Sequence, residues 1–121
     1  MAASAGYLDY VEELLGGLGA VRTRRMFGAA GVFLDGVMFA LVDDDILYIK
    51  TDDAFVSDLK AMGSAPWTYT AKRDGITRDM GYWRLPESAA DDPDEAVELA
   101  RRSLRIARSK KTAGKAPARK K

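Results

Sequence analysis

The 121-residue sequence contains no cysteine and no histidine. Without cysteine there is no disulfide, no thiolate nucleophile and no Cys-based zinc or iron–sulfur site. The same absence is in keeping with a reducing cytoplasm. Without histidine the commonest general base and the commonest metal ligand are missing. Any catalysis would fall to carboxylates, Lys, Ser, Thr or Tyr. No stretch approaches the ~20 apolar residues of a membrane span. The N-terminus MAASAGYLDY lacks the basic segment and apolar run of a secretory signal. These absences point to a soluble cytoplasmic protein with no cofactor, no metal site and no membrane partner.

What is present suits one folded domain. The length fits a single unit that can bury a core without metal or disulfide staples. Apolar content is 47%, ordinary for a globular chain. The formal net charge of +1 hides a strong polarity. Residues 1–100 hold all 18 acidic residues and 9 of the basic ones, a net −9, while residues 101–121 hold 10 basic residues and no acid. Such asymmetry predicts a basic C-terminal segment with a role of its own.

Hydrophobic spacing gives the order of elements. Tyr7, Val11, Leu14 and Leu18 repeat at helical intervals from about Ser4 to Leu18, until Gly16, Gly17 and Gly19 end the run. Val21 to Phe27 reads as a strand. Gly28 and Gly31 read as brackets of a turn, followed by a second strand from Gly31 to Leu34. Asp35-Gly36 is a two-residue hairpin signal. VMFALV, residues 37–42, is apolar on both faces, as in a strand that is central or covered on both sides. Asp43-Asp44-Asp45 makes a polar turn and ILYIK a fourth strand. Thr51 or Asp52 caps a short helix whose Phe55, Leu59 and Met62 share a face, with Gly63 as its stop. PWTYTAK and TRDMGYWRLP read as two more strands joined near Arg73-Asp74-Gly75. Asp92, Pro93 and Glu95 open a last helix as a capping box, with Val97, Ala100, Leu104 and Ala107 on its apolar face. The expected class is α+β: an antiparallel sheet of five to six strands with helices on one side, ordered α-β4-α-β2-α. From Ser109 the chain has no large apolar residue. The expectation is therefore a domain over 1–108 and a disordered basic tail over 109–121.

Few residues carry a chemical signal. Gly28, Gly31 and Gly36 match neither a P-loop nor a dinucleotide loop, and a strand follows them where those loops need a helix. Asp43-Asp44-Asp45 lacks the alternating ligands of a calcium loop. Asp91, Asp92, Asp94 and Glu95 are accounted for by the helix start. Trp67, Tyr69, Tyr82 and Trp83 with Arg73, Arg78 and Arg84 have the composition of a stacking surface for single-stranded nucleic acid. Ordinary sheet packing explains them better. Arg22 and Arg24 share one face of the first strand and Arg25 the other; they pair with the acidic body or meet an anionic partner. Arg101, Arg102, Arg105 and Arg108, then Lys110, Lys111, Lys115, Arg119, Lys120 and Lys121, form a cluster able to neutralise phosphates without reading sequence. A solubilising tail is the other reading.

The pieces RRMFG, DGVMFALV, GSAPWTY and GYWRLP, followed by the capped last helix, resemble in that order the TfoX (Sxy) N-terminal domain family over about residues 7–108. The resemblance implies an α+β domain of secretion-chaperone-like topology. It also implies a part in switching on competence genes, together with a cyclic-AMP-responsive activator. Longer family members add a C-terminal domain, so this sequence reads as a single-domain member. The family supplies no catalytic residues, and Met26, Phe27, Gly28, Asp35, Gly36, Tyr82, Trp83 and Pro86 read as structural. The expectation is a non-catalytic bacterial regulator or adaptor, a monomer or homodimer. It would work through a protein partner, with weak non-specific DNA binding by the tail. Its rivals are a DNA-binding protein in its own right, a chaperone-like dimer and, least supported, a small enzyme.

Overall fold

The computed structural model describes residues 3–26, 28–70 and 72–118, without the side chains of Tyr69, Arg78 and residues 110–118. Helix α1 (Ala5–Leu14) begins where the Ser4 hydroxyl accepts the Tyr7 amide at 3.2 Å. It buries Leu8, Val11 and Leu14, and a short 3-10 turn at Gly16–Leu18 ends it. Strands β1 (Arg22–Met26), β2 (Ala29–Leu34), β3 (Val37–Asp43) and β4 (Ile46–Lys50) then form an antiparallel meander. The β2–β3 turn carries Asp35 at φ 53° and Gly36 at φ 79°. The β3–β4 turn carries Asp44 at φ 54° and Asp45 at φ 56°. Paired positive φ angles are those of a type I′ hairpin; the first turn is the hairpin the sequence predicts, and the polar turn expected at 43–45 takes the same form.

Helix α2 (Asp53–Ala61) is capped by Asp52, whose carboxylate accepts the Phe55 amide at 2.9 Å. It crosses to β5 (Pro66–Thr70), which pairs with β6 (Thr77–Arg84), and β6 pairs back onto β4. The six-stranded sheet thus has the order β1-β2-β3-β4-β6-β5, antiparallel throughout. After a single-turn helix α3 (Glu87–Ala90), α4 (Pro93–Ala118) lies across β3 and β4. The core sits between the sheet and α1, α2 and α4. Helix α4 contributes mostly small residues to it, Ala96, Ala100, Ser103 and Ala107, which let the helix approach closely. Ser103 is fully buried and donates to the Lys50 carbonyl at 2.8 Å, so its burial leaves no unpaired hydroxyl. Among the described residues no helix is long and apolar enough to cross a membrane.

Five details depart from the sequence reading. Gly31 lies inside β2 opposite Arg24, not at a turn. A Cβ there would stand 2.8 Å from the Phe33 ring and 3.2 Å from the Met38 sulfur, so the strand needs glycine for close approach. Met62 follows α2 as its C-cap and is 46% exposed, because the helix ends before a further turn can bring it to the core. Of the capping box at α4 only half forms. The Asp92 carboxylate accepts the Asp94 and Glu95 amides, but the Glu95 carboxylate takes the Ser88 hydroxyl at 3.0 Å. Val97 is only half-buried, and the neighbouring Ala96 takes the core position. Finally, the helical backbone of α4 continues past residue 108 to Ala118. Residues 119–121 and the side chains from Lys110 onward lie outside the described residues, so most of the expected basic tail, 109–121, falls on groups outside them. Phe27 lies outside them too.

Candidate interaction face

Register sorts the sheet into two faces. On one, Ala30, Val32, Ala40, Val42, Leu47, Ile49 and Trp83 are buried under the helices. The other face carries no helix. From β1 it presents Arg22, Arg24 and Met26; from β2, Gly31 and Phe33; from β3, Met38 and Leu41; from β4, Tyr48 and Lys50; from β6, Tyr82 and Arg84.

Two irregularities shape this face. Val32 pairs with Ala40 and Phe33 with Met38, so Phe39 stands unpaired in a β-bulge. The bulge turns Phe39 into the core, fully buried beside Ala40, while Met38 and Leu41 keep the opposite face. The second lies in the β5–β6 hairpin. Pro66 pairs with Trp83 and Thr68 with Asp79, so three residues of β6, Met80 to Tyr82, face the single Trp67 of β5. At the middle of that bulge Gly81 has φ 84°. Its amide donates to Asp79 at 2.8 Å, and its carbonyl accepts both the amide and the hydroxyl of Thr51 at 3.0 Å. The strand bends there and the hairpin curls over the helix-free face. Trp67 reaches far enough across to donate its indole N–H to Asp43 at the end of β3, at 3.0 Å.

The curl closes a cleft with a cavity volume of about 250 Å³. Its floor is Gly31 and Leu41, one wall is Met26, Ala29 and Met38, and the other is Trp67, Met80 and Tyr82. The Trp67 ring stands 6.3 Å from that of Tyr48 and meets Tyr82 edge-on at 6.5 Å. Lys50 places its ammonium 4.8 Å over the Tyr82 ring. Burial pushes the Tyr82 phenol up from its ordinary pKa. Burial does the same to Tyr48, with the Asp43 carboxylate adding to it and Arg84 opposing it. Both phenols are therefore neutral donors at physiological pH. The arrangement holds apolar, polarisable surface next to exposed cations.

The sequence-predicted residues fall into separate places. Arg22 and Arg24 share the helix-free face as expected, exposed and without an ion-pair partner among the described residues. Arg25 points the other way and donates to the Ala3 carbonyl at 2.6 Å, tying down the N-terminal segment. Arg102 pairs with Asp58 at 2.7 Å and lies 4.3 Å over the Phe55 ring, which makes it a clamp between α4 and α2. Arg101, Arg105 and Arg108 are exposed on α4; Arg108 stands 3.6 Å from the exposed Asp35, a pair that contributes little. Lys110, Lys111 and Lys115 have no described side chain, and Arg119, Lys120 and Lys121 lie outside the described residues. Of the aromatic group, Trp83 belongs to the core, with its indole N–H on Asp79, whereas Trp67 and Tyr82 face the cleft. Met26 and Tyr82, read from sequence as structural, line that cleft as well. Met80 and Leu41 carried no functional signal in the sequence. The one local hint was a glycine inside a strand pattern, Met80-Gly81-Tyr82, which marks a bulge.

Two of the three aspartates at 43–45 are engaged locally: Asp43 holds Trp67, and Asp45 accepts the Ser4 amide at 2.8 Å. Among the described residues no three acidic side chains converge as a metal site.

A curled antiparallel sheet with helices on one face and an apolar cleft on the other defines a small α+β domain with a surface suited to contact. The chain belongs to the TfoX N-terminal domain family, whose sequence pattern matches residues 13–107. It is also similar to Protein Sxy of Escherichia coli (strain K12), 29% identical over 101 residues. That alignment covers 84% of this chain and 47% of Sxy, so the chain spans about half the length of this relative.

Proposed function

We propose that the chain is a non-catalytic regulatory or adaptor domain that acts through protein contact, in the competence or transcription control that its family membership implies. The observation that carries the reading is the helix-free face. Its partly exposed methionines and aromatics form a cleft, beside arginines that have no ion-pair partner among the described residues. Surfaces of that composition are enriched where proteins meet. Methionine-rich clefts also adapt to varied partners. Kinship with Sxy supports the regulatory half of the reading. The cytoplasm is where such a role would be exercised.

The test is transcript abundance in the source cell, with the chain depleted and then restored from a plasmid. A restricted set of transcripts is expected to change on depletion and to return on restoration. An unchanged transcript profile would overturn the regulatory reading.

A further inference from the structure

We propose that the helix-free face captures an acidic peptide segment of another protein. One apolar side chain of the segment (Leu, Phe, Met or Trp) would seat in the cleft, and its carboxylates would lie against Arg22 and Arg24. The inference deepens the contact reading and rests on it.

Three observations select this occupant. The first is size. The cavity of about 250 Å³ falls below the ~300–1,000 Å³ of pockets that bury a whole small molecule. It suits an anchoring side chain of a longer ligand, and Met38 and Met80 can shift to fit different anchors. The second is charge. Residues 1–100 carry a net −9, yet Arg22 and Arg24 share this face, exposed and without an ion-pair partner among the described residues. The Asp43 carboxylate, which accepts the Trp67 indole N–H, lies at the end of β3 away from Arg22. An acidic segment is repelled by the rest of the domain and attracted here, which steers it to one face. The third is position. Arg24 pairs with Gly31, so its guanidinium stem rises directly beside the cleft floor, and Arg22 lies two residues farther along the same face. A peptide anchored in the cleft therefore passes both arginines.

The same face is poorly built for single-stranded nucleic acid. Stacking needs open ring faces. Here Trp67 and Tyr82 meet edge to face, and Lys50 lies over the Tyr82 ring.

The experiment is selection of a phage-displayed library of short random peptides on the immobilised full chain. Fluorescence anisotropy then follows an enriched peptide, the same peptide with Lys in place of Asp and Glu, and an oligodeoxythymidine strand. The enriched peptides are expected to combine Asp or Glu with a single large apolar residue. Met80→Glu, which puts a charge on the cleft wall, and Arg24→Glu, which reverses the rim, are each expected to weaken binding about tenfold or more. The Lys-substituted peptide is expected not to bind. Both side chains are well exposed, so the variants should keep the wild-type circular dichroism and melting point. Failure to enrich any peptide would overturn the proposal. So would enrichment of basic peptides, binding indifferent to both variants, or Trp67-dependent binding of the oligonucleotide instead. A failed selection with an intact transcript response removes this inference alone. An absent transcript response removes the regulatory reading beneath it.

Discussion

Replacing Phe39 with alanine is expected to cost about 3–5 kcal/mol of stability, the range for deleting a fully buried aromatic side chain. Phe39 is 0% exposed, and the bulge that leaves it unpaired in the ladder is what directs it into the core. Val32 and Ala40, buried in the same core, are fixed in the β2–β3 ladder, which limits how far the core can close over the vacated space. Met62→Ala is the matched contrast. Met62 caps α2 at 46% exposure, so its truncation is expected to change stability by no more than about 0.5 kcal/mol. Urea unfolding followed by circular dichroism measures both. Equal costs for the two would mean that the bulge does not place Phe39 as described.

Gly81→Val is expected to cost about 1–3 kcal/mol, the cost of holding a non-glycine residue at a sparsely populated positive φ. A β-branched residue is the least tolerant choice there. Nothing lies within 4 Å of a Cβ at this position, so the first atom of a side chain meets no crowding and the backbone angle of 84° is the main source of the effect. The damage is also directional. Relaxing that angle straightens β6, and the hairpin can no longer curl Trp67 and Met80 over Leu41. The stability loss should therefore come with a red-shifted tryptophan emission as Trp67 leaves the cleft wall. Gly81→Ala should show the same pattern more weakly. Denaturant unfolding together with emission spectra tests both halves, and a stability loss without the spectral change would detach the bend from the cleft.

Local chemistry was legible in the sequence, whereas the placement of the cleft was not. Asp35-Gly36 announced its hairpin because a type I′ turn demands positive φ at two successive residues. Asp52 and Asp92 announced helix starts because each side chain completes amides left open at that end. The run from Val37 to Val42 was apolar on both faces; Phe39 to Val42 are buried, Leu41 on the side under the curled hairpin, while Met38 is half-buried at the cleft. Strict alternation could not anticipate the bulge at Phe39 or the three-against-one bulge at Met80 to Tyr82. Such bulges are fixed by which strand pairs with which, a nonlocal property. Trp67 and Trp83 end on opposite faces because Trp83 pairs with Pro66, the residue before Trp67, a register no single strand reveals. Gly31 looked like turn punctuation, since its place inside β2, with the Phe33 ring and the Met38 sulfur of β3 against it, shows only once the strands have paired. Arg22 and Arg24 could be assigned a common face from strand period alone, but not the apolar cleft beside them.

The account turns on the helix-free face being the working surface. Restoring the depleted cell with Met80→Glu and, in parallel, with Glu98→Lys tests this most directly. Met80 is 42% exposed on the cleft wall, and Glu98 is exposed on α4 on the opposite side of the sheet. Each change is expected to leave the fold within about 1 kcal/mol of wild type. Transcript abundance should return to normal with Glu98→Lys and fail to return with Met80→Glu. Full restoration by Met80→Glu, at wild-type protein level, would contradict the account and move the working surface elsewhere on the domain.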